Sequence, residues 1–453
     1  MTDNRYRRLP VGIQSFKVIR EENYLYVDKS DIVWNMVNLG DKYNYLSRPR
    51  RFGKSVLVDT LESYLEGRKD LFEGLKIMQL EKDWKHYPVI RLDMSRGGAN
   101  EETLRSYLNL RFKDYEEKYN ITPDPTAMLA DRFHAIIATA YKQTGLRVAV
   151  LIDEYDSPLQ HSWRTPEHEK CTGVYREVFA ILKADDEYEH FVFITGITKF
   201  TQLSLFSVLN NLSNISFTPE YAAICGITEE EIEENFMPEI RQMSEANNWS
   251  VQETHDRLKA YYDGYHFSDD NMVDIYNPYS LVNALKQRKI KNFWASSGAT
   301  SLLPKFVDNA ELRLSKFENC SIMRNTLELS DVSGGGAELF LYQSGYLTIK
   351  NSDEFGYILG FPNEEVKQAL YETVLPTLTM RSENEIQSLQ ACLYRYLGTG
   401  QIDEAMKSLK ALIADVPYSN KKLASMDMEE RYRLIISTIL NAIGLNVEVE
   451  KMI

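Results

Sequence analysis

Apolar and polar positions change rhythm along this chain. Between about residues 40 and 200, short runs rich in Val, Ile, Phe and Tyr recur, separated by long stretches of helical character. The runs are Tyr43–Ser47, Tyr87–Asp93, Arg147–Asp153 and Phe191–Thr195. Their apolar density, flanked by polar residues, predicts strands buried on both faces. The helical stretches include Glu102–Lys118 and Pro125–Gly145. Strand and helix in that alternation predict an α/β sheet with crossover connections.

After about residue 220 the pattern turns helical. In GITEEEIEENFMPEIRQMSEANN, Thr228 followed by Glu231 predicts an N-cap with a capping box. Val251–Tyr262 and Pro278–Lys289 also read as helices. Around 335–380 come a helix, then YLTIK, a polar turn, GYILGF, and a helix opening at a proline. Helix, hairpin and helix suggest a small winged-helix-like unit. From about 384 the chain is helical again, and NVEVEKMI reads as a strand.

Composition narrows the class. The chain has 453 residues, 43% of them hydrophobic, enough for several cores. Its net charge of −14 argues against nonspecific binding along a duplex. No strongly apolar run exceeds Val148–Ile152, whereas a membrane span needs about 20 residues. The N-terminus lacks an apolar h-region, so no secretory signal and a cytoplasmic location are expected. Four scattered cysteines and the absence of HExxH suggest neither a disulfide scaffold nor a zinc site.

The candidate chemistry starts at YLSRPRRFGKSVLVDTLESYLEG. A strand runs into a loop ending Gly53-Lys54-Ser55, and a helix follows with Leu57, Leu61, Tyr64 and Leu65 on one face and Gly67 at its end. This is the context of a phosphate-binding loop. Gly53 lets backbone amides approach phosphate oxygens, and the helix start adds free N–H groups. Lys54 would reach the β- and γ-phosphates, and the Ser55 hydroxyl would ligate Mg²⁺. Arg50, Arg51 and Phe52 complete the expected nucleotide-binding loop, and Arg48 stands where a Walker A loop has its first glycine. RVAVLIDEYD closes an apolar strand on two acids: Asp153 is the expected metal ligand and Glu154 the expected general base. HFVFITGITKF supplies a further strand expected between the other two, with Thr195 the candidate polar residue facing the γ-phosphate and Thr198 second. Lys199 could sense the transition state, though such a lysine is commonly a solvated loop charge.

Other features have plainer readings. Asp28 and Ser30 read as an N-cap, and Asp93 as a strand-end turn former. The run Tyr261–Phe267 could stack bases, but commonly packs a lid against a core. Glu229–Glu234 reads as a solvated helix face.

Together these stretches resemble the AAA-ATPase-like family of bacterial proteins whose members carry a C-terminal PD-(D/E)XK nuclease domain. The matching segments are LPVGIQSFKVIREENYLYVDKS, YLSRPRRFGKS, VLIDEYDSPL, FITGITKF, YYDGYHFS with IYNPYSL, and YQSGYLTIK with GFPNEEV. The family itself has Arg at the position of Arg48. The resemblance implies a P-loop core, a helical lid, a winged-helix-like segment and then the nuclease. MDMEERYRLIISTILNAIGLNVEVE resembles the start of that last domain, with Glu430 at its acidic position. The metal-binding Asp and E-x-K do not follow before Ile453, so no nuclease activity is expected of this polypeptide. The apolar face of that segment (Tyr432, Ile435, Ile439, Ile443) must find another surface, stay mobile or mediate association.

The expected architecture is a P-loop NTPase parallel sheet core in 1–220, a helical lid-like segment in 221–310, a winged-helix-like and helical segment in 311–415, and an incomplete nuclease-like start in 416–453. The expected function is an ATP-binding, Mg²⁺-dependent ATPase acting as a conformational switch, with nucleotide as ligand and a protein as possible partner. Two alternatives stand beside it: a nucleotide-binding interaction module with little hydrolysis, and the ATPase part of a nucleic-acid processing protein. The residues Lys350, Lys367, Lys407, Lys410, Lys421 and Lys422 are too sparse to decide the last.

Overall fold

The computed structural model describes residues 8–124, 126–199, 212–294, 317–329, 336–414 and 428–445. In the first half, α1 (Phe16–Glu21) and α2 (Ser30–Asn38) precede β1 (Tyr43–Ser47) and α3 (Lys54–Leu65). Then come α4 (Ile77–Leu80), β2 (Val89–Asp93), α5 (Glu101–Lys118), α6 (Leu129–Thr144), β3 (Val148–Asp153), α7 (Ser157–Ser162) and α8 (Glu167–Ala184). β4 (Glu189–Gly196) and β5 (Ser213–Asn214) complete a sheet ordered β2-β3-β4-β1-β5. Every pairing in it is parallel. The expected α/β core is therefore present, and β4 does lie between β1 and β3.

Burial explains why these strands sit centrally. Val148, Ala149, Val150, Leu151 and Ile152 of β3 are all fully buried, as a strand covered by helices on both faces must be. α3 buries Leu57, Leu61, Tyr64 and Leu65. It closes on Gly67, whose φ of 72° lets the Gly67 and Arg68 amides return to the carbonyls of Tyr64 and Ser63.

The second half holds a smaller helical core, with Ile232, Phe236, Ile240, Met243, Leu258 and Leu281 packed together. The capping box at Thr228 and Glu231 forms as expected. The helix expected to run on from it is broken at Phe236: Glu229–Asn235 and Met237–Asn247 are separate, with Pro238 in the first turn of the second. β6 (Ile227–Thr228) and β7 (Ile275–Tyr276) pair antiparallel beside them. Farther on, β8 (Cys320–Met323), β9 (Thr348–Ser352) and β10 (Gly356–Gly360) form an antiparallel sheet ordered β8-β10-β9. The hairpin β9–β10 matches the expected one, and β8 is an additional strand.

Helix Met428–Ala442 lies on helix Glu364–Thr379, and its Ile435 and Ile439 are fully buried. Its apolar face has thus found a surface within the chain. The terminal strand expected in NVEVEKMI lies outside the described residues. Among the described residues, no helix is long and apolar enough to cross a membrane.

Candidate functional site

β1 delivers the loop 48–53 to the carboxyl end of the sheet, where β3 and β4 also end. Gly53 is the N-cap of α3 with φ 88°, a conformation an L side chain rarely adopts. A Cβ placed there would meet nothing within 4 Å, so it would stand in open space above the loop. Among the described residues, the amides of Gly53, Lys54 and Ser55 have no protein acceptor. Arg51 also holds a left-handed φ of 67°, a cost of about 1–2 kcal/mol for a non-glycine residue. Lys54 curls back, its Nζ donating to the carbonyls of Arg48 and Pro49 at 2.9 Å each. Burial pushes its ammonium down, while Glu154, Asp153 and Asp156 pull the other way.

Arg48 is no phosphate ligand in this arrangement. Only 1% exposed, it donates to the carbonyls of Ser47, Ser216 and Tyr221 at 2.9 Å each. Its guanidinium also lies 4.1 Å from the Phe267 ring. It ties the loop to the chain after β5. Phe52 is buried and packs edge-on against Tyr265 and Phe267.

Across the sheet end stand the acids. Asp153 is buried and accepts from the Glu154 amide at 2.9 Å; burial pushes its carboxyl up, with Ser55 and Lys54 opposing. Glu154 adopts φ 48°, which turns its half-buried side chain out of the strand direction. Burial raises its pKa, against the pull of Lys54. Among the described residues no group of three or more His, Cys, Asp or Glu is set to hold a metal alone. Ser55 and Asp153 instead offer a partial oxygen set, which suits magnesium when substrate phosphates complete its shell.

Thr195 is next to last in β4, one residue past the Ile194–Ile152 pairing and so level with Asp153, but its hydroxyl donates to the Leu46 carbonyl at 2.8 Å, into the sheet. Thr198 is bound to Asp156. Lys199 points away, donating to the Glu328 carbonyl. Asp156 and Gln160 are the residues the sequence reading missed. Buried Asp156 accepts from the Ile197 and Thr198 amides, the Thr198 hydroxyl and Gln160. The signal was there as a third acid after Asp153-Glu154 with a glutamine four residues on, the spacing of one helical turn.

The plainer features also find their places. Asp28 accepts from the Ser30 amide, while the Ser30 hydroxyl takes the Ile77 amide of α4 instead of capping its own helix. Asp93 forms the expected turn with Ser95. In the run of glutamates, Glu229 pairs with His255 and Glu231 with Lys29, so only part of that face is solvated. Glu430 lies on the exposed first turn of its helix.

A cavity of about 540 Å³ opens over the loop. Its lining includes the loop residues Arg50–Ser55 with Glu154 and Gln160, and the apolar side chains of Val11, Ile13, Leu25, Ile227 and Phe236. A cleft that combines cationic, amide-rich lining with apolar lining suits a ligand that carries both anions and a flat ring.

The family model for predicted AAA-ATPases matches residues 10–206. The "Uncharacterized protein in vnfD 5'region" of Azotobacter chroococcum mcd 1 is 30% identical over 98% of this chain and 84% of its own length. The chain belongs to this predicted AAA-ATPase family. Among solved structures, the Aeropyrum pernix ORC2 protein (ADPNP-ADP complexes) aligns over 82% of this chain and 97% of its own, at 14% identity and a TM-score of 0.31. At that score the likeness carries no weight.

Proposed function

We propose that this chain binds ATP with Mg²⁺ and hydrolyses it, using the cycle as a conformational switch. The observation that carries this reading is the meeting, at one sheet end, of unpartnered loop amides, Lys54, the Ser55–Asp153 pair and Glu154. The amides and Lys54 would hold the phosphates, with Arg50 and Arg51 beside them. Ser55 and Asp153 would hold Mg²⁺, which supplies charge neutralisation of the phosphate oxygens. Glu154 would take the proton of the attacking water, and its raised pKa suits a base. The apolar lining of the cavity would take the base.

Contacts between the loop and the second half of the chain support the switch reading. The loop's Pro49 lies so close to Gly345 that a Cβ on the latter would come within 2.5 Å. Tyr265, packed on Phe52, donates to the Gly345 carbonyl at 3.0 Å. Movement of the loop on binding phosphate would reach the second half of the chain, or a protein partner docked there. We place this activity in the cytoplasm, where ATP and Mg²⁺ are at hand.

One observation favours a second reading, nucleotide binding without turnover. The Thr195 hydroxyl is committed to Leu46, so the polar group assigned to the γ-phosphate is already engaged. Thermal melting and phosphate release separate the two. ATP at about 100 times Kd should stabilise by roughly 2.7 kcal/mol. Stabilisation with phosphate release supports the ATPase; stabilisation without release supports the binding module; no stabilisation at millimolar ATP sinks both.

A further inference from the structure

We infer that Arg50 is a catalytic residue, the cation that meets the γ-phosphate in the transition state from within the same chain. The inference rests on the ATPase reading above and goes beyond it by separating the two loop arginines.

Four cations line the cavity: Lys29, Arg50, Arg51 and Lys54. Three are engaged. Lys29 is paired with Glu231 at 2.7 Å. Lys54 is held by two carbonyls of its own loop. Arg51 lies 4.8 Å from the Tyr279 ring, drawn toward helix Pro278–Gln287. Arg50 differs. Among the described residues its Nη2 reaches only the Gln160 Oε1, a neutral acceptor, at 3.4 Å, and no carboxylate lies within ion-pair distance. Glu154 and Asp156 nevertheless line the same cavity.

Gln160 fixes where that guanidinium sits. Buried at 5% exposure, it donates to Asp156 Oδ2 at 2.6 Å and to Thr198 Oγ1 at 3.0 Å. Asp156 in turn anchors the amides of Ile197 and Thr198 just beyond β4. Arg50 is thereby held beside Gln160 and Asp156, which are tied to the turn after β4, and Glu154 lines the same cavity. Arg51 is drawn instead to Tyr279. A γ-phosphate attacked by water held at Glu154 would lie in the cavity that the free face of Arg50 also lines.

The chemistry there is simple. The water oxygen bonds to the γ-phosphorus and gives a proton to Glu154. The bond from phosphorus to the bridging oxygen breaks, and its electron pair leaves with ADP. Negative charge on the γ-oxygens and the bridge is the quantity to be stabilised. A guanidinium held by one long bond to a neutral amide can turn to meet that charge without breaking an ion pair. Its planar fork also matches two phosphate oxygens at once.

The experiment uses the full chain with Arg50→Gln, Arg50→Lys and Arg51→Gln. One readout is single-turnover phosphate release. The second needs no turnover: calorimetric affinity for Mg-ADP with and without aluminium fluoride, which mimics the transferring phosphoryl group. Circular dichroism confirms that each variant is folded. For Arg50→Gln, release should fall by about 10²–10³-fold, ADP affinity should stay within about threefold, and the gain from aluminium fluoride should vanish. Arg50→Lys should not restore it. Equal losses of ADP affinity and turnover would make Arg50 a ground-state phosphate ligand and overturn the inference. So would the same loss in Arg51→Gln with Arg50→Gln unaffected. A wild type that binds ATP but releases no phosphate overturns the ATPase reading and this inference together, an outcome visible before any variant is made.

Discussion

The loop after β1 and the aromatic segment Tyr261–Phe267 are equally rich in polar groups, and they treat them in opposite ways. In the segment, the Tyr262 hydroxyl donates to the Lys291 carbonyl and that of Tyr265 to Gly345. Both His266 nitrogens are engaged, by the Ile349 carbonyl and by Asp274. In the loop, three successive amides lack an acceptor among the described residues, and Arg50 reaches only a neutral amide. Buried donors without partners cost about 1–3 kcal/mol each, so such groups persist where solvent or a ligand completes them. A ligand site is therefore marked by unused hydrogen-bonding capacity. Residue type left base stacking open beside the commoner packing role, and the filled bonds of the segment accord with packing.

The largest expected effect tests the acids beside the loop. Glu154→Gln should cut phosphate release by about 10²–10⁴-fold, roughly 3–5 kcal/mol of barrier, while ATP stays bound. The amide removes one negative charge near the triphosphate, so affinity should hold or rise. Asp153→Asn should instead weaken Mg-ATP binding. Phosphate release beside calorimetric affinity separates the two; a Glu154→Gln protein as fast as wild type would put the base elsewhere.

Next in size is Arg48→Gly, which restores the glycine of the usual loop pattern. It should not improve nucleotide binding. It removes a charged donor from three carbonyls and empties the space against Phe267, so stability should fall by about 2–4 kcal/mol. Denaturant unfolding without nucleotide reads this directly. An unchanged midpoint would mean the buried clamp contributes nothing.

Arg48 also shows where sequence reading stops. Its neighbours Tyr43–Ser47 are legible because five residues declare a buried strand locally. Its partners Ser216 and Tyr221 lie 168 and 173 positions away, and no local pattern names them. Helix Val251–Tyr262 was legible to the residue, fixed by the Ser250 cap. β8 was not: of its four residues Ile322 alone is buried, and it exists through pairing with β10. Position on β4 placed Thr195 among the acids correctly, but position cannot say which way a hydroxyl turns. The left-handed φ of Glu154 was likewise invisible in its identity.

Smaller effects follow from exchanging lysines between the two regions. Lys54→Ala should reduce ATP affinity by about 10–100-fold, the loss of one charge-assisted contact of roughly 1.5–3 kcal/mol, with the fold retained. Lys54→Arg should not rescue it, because a planar guanidinium does not replace a point charge. Lys350→Ala removes a lysine that bridges the carbonyls of Gly264 and Pro362. It should change stability and leave ATP affinity untouched. Equal losses of affinity in both variants would erase the distinction between the regions.

The last effect concerns Asp263 in the aromatic segment. Asp263 is 2% exposed, neither carboxylate oxygen has a hydrogen-bond partner among the described residues, and Lys259 Nζ stands 3.8 Å from Oδ2. Its pKa is pushed up to about 7, chiefly by burial, with Asp274 and Glu229 adding to the rise and the Gly264 amide and Lys259 opposing it. In the unfolded chain an aspartate titrates near ~3.9. Between those values the folded protein holds a proton that the unfolded chain has released. Its contribution to stability is thus complete below about pH 4 and declines as pH rises toward 7. Asp263→Asn keeps the shape and cannot ionise, so it should remove that decline. In melting curves from pH 5 to 8.5, the variant should gain on wild type by roughly 2–3 kcal/mol, a few °C, by the upper end. The gap should already be open at pH 5, where the unfolded chain has released a proton that the folded protein keeps, and it should stop widening above about pH 7, where both states are ionised. Parallel curves for the two proteins would mean that Asp263 is ionised throughout, with Lys259 as its partner, and that the segment leaves nothing unsatisfied.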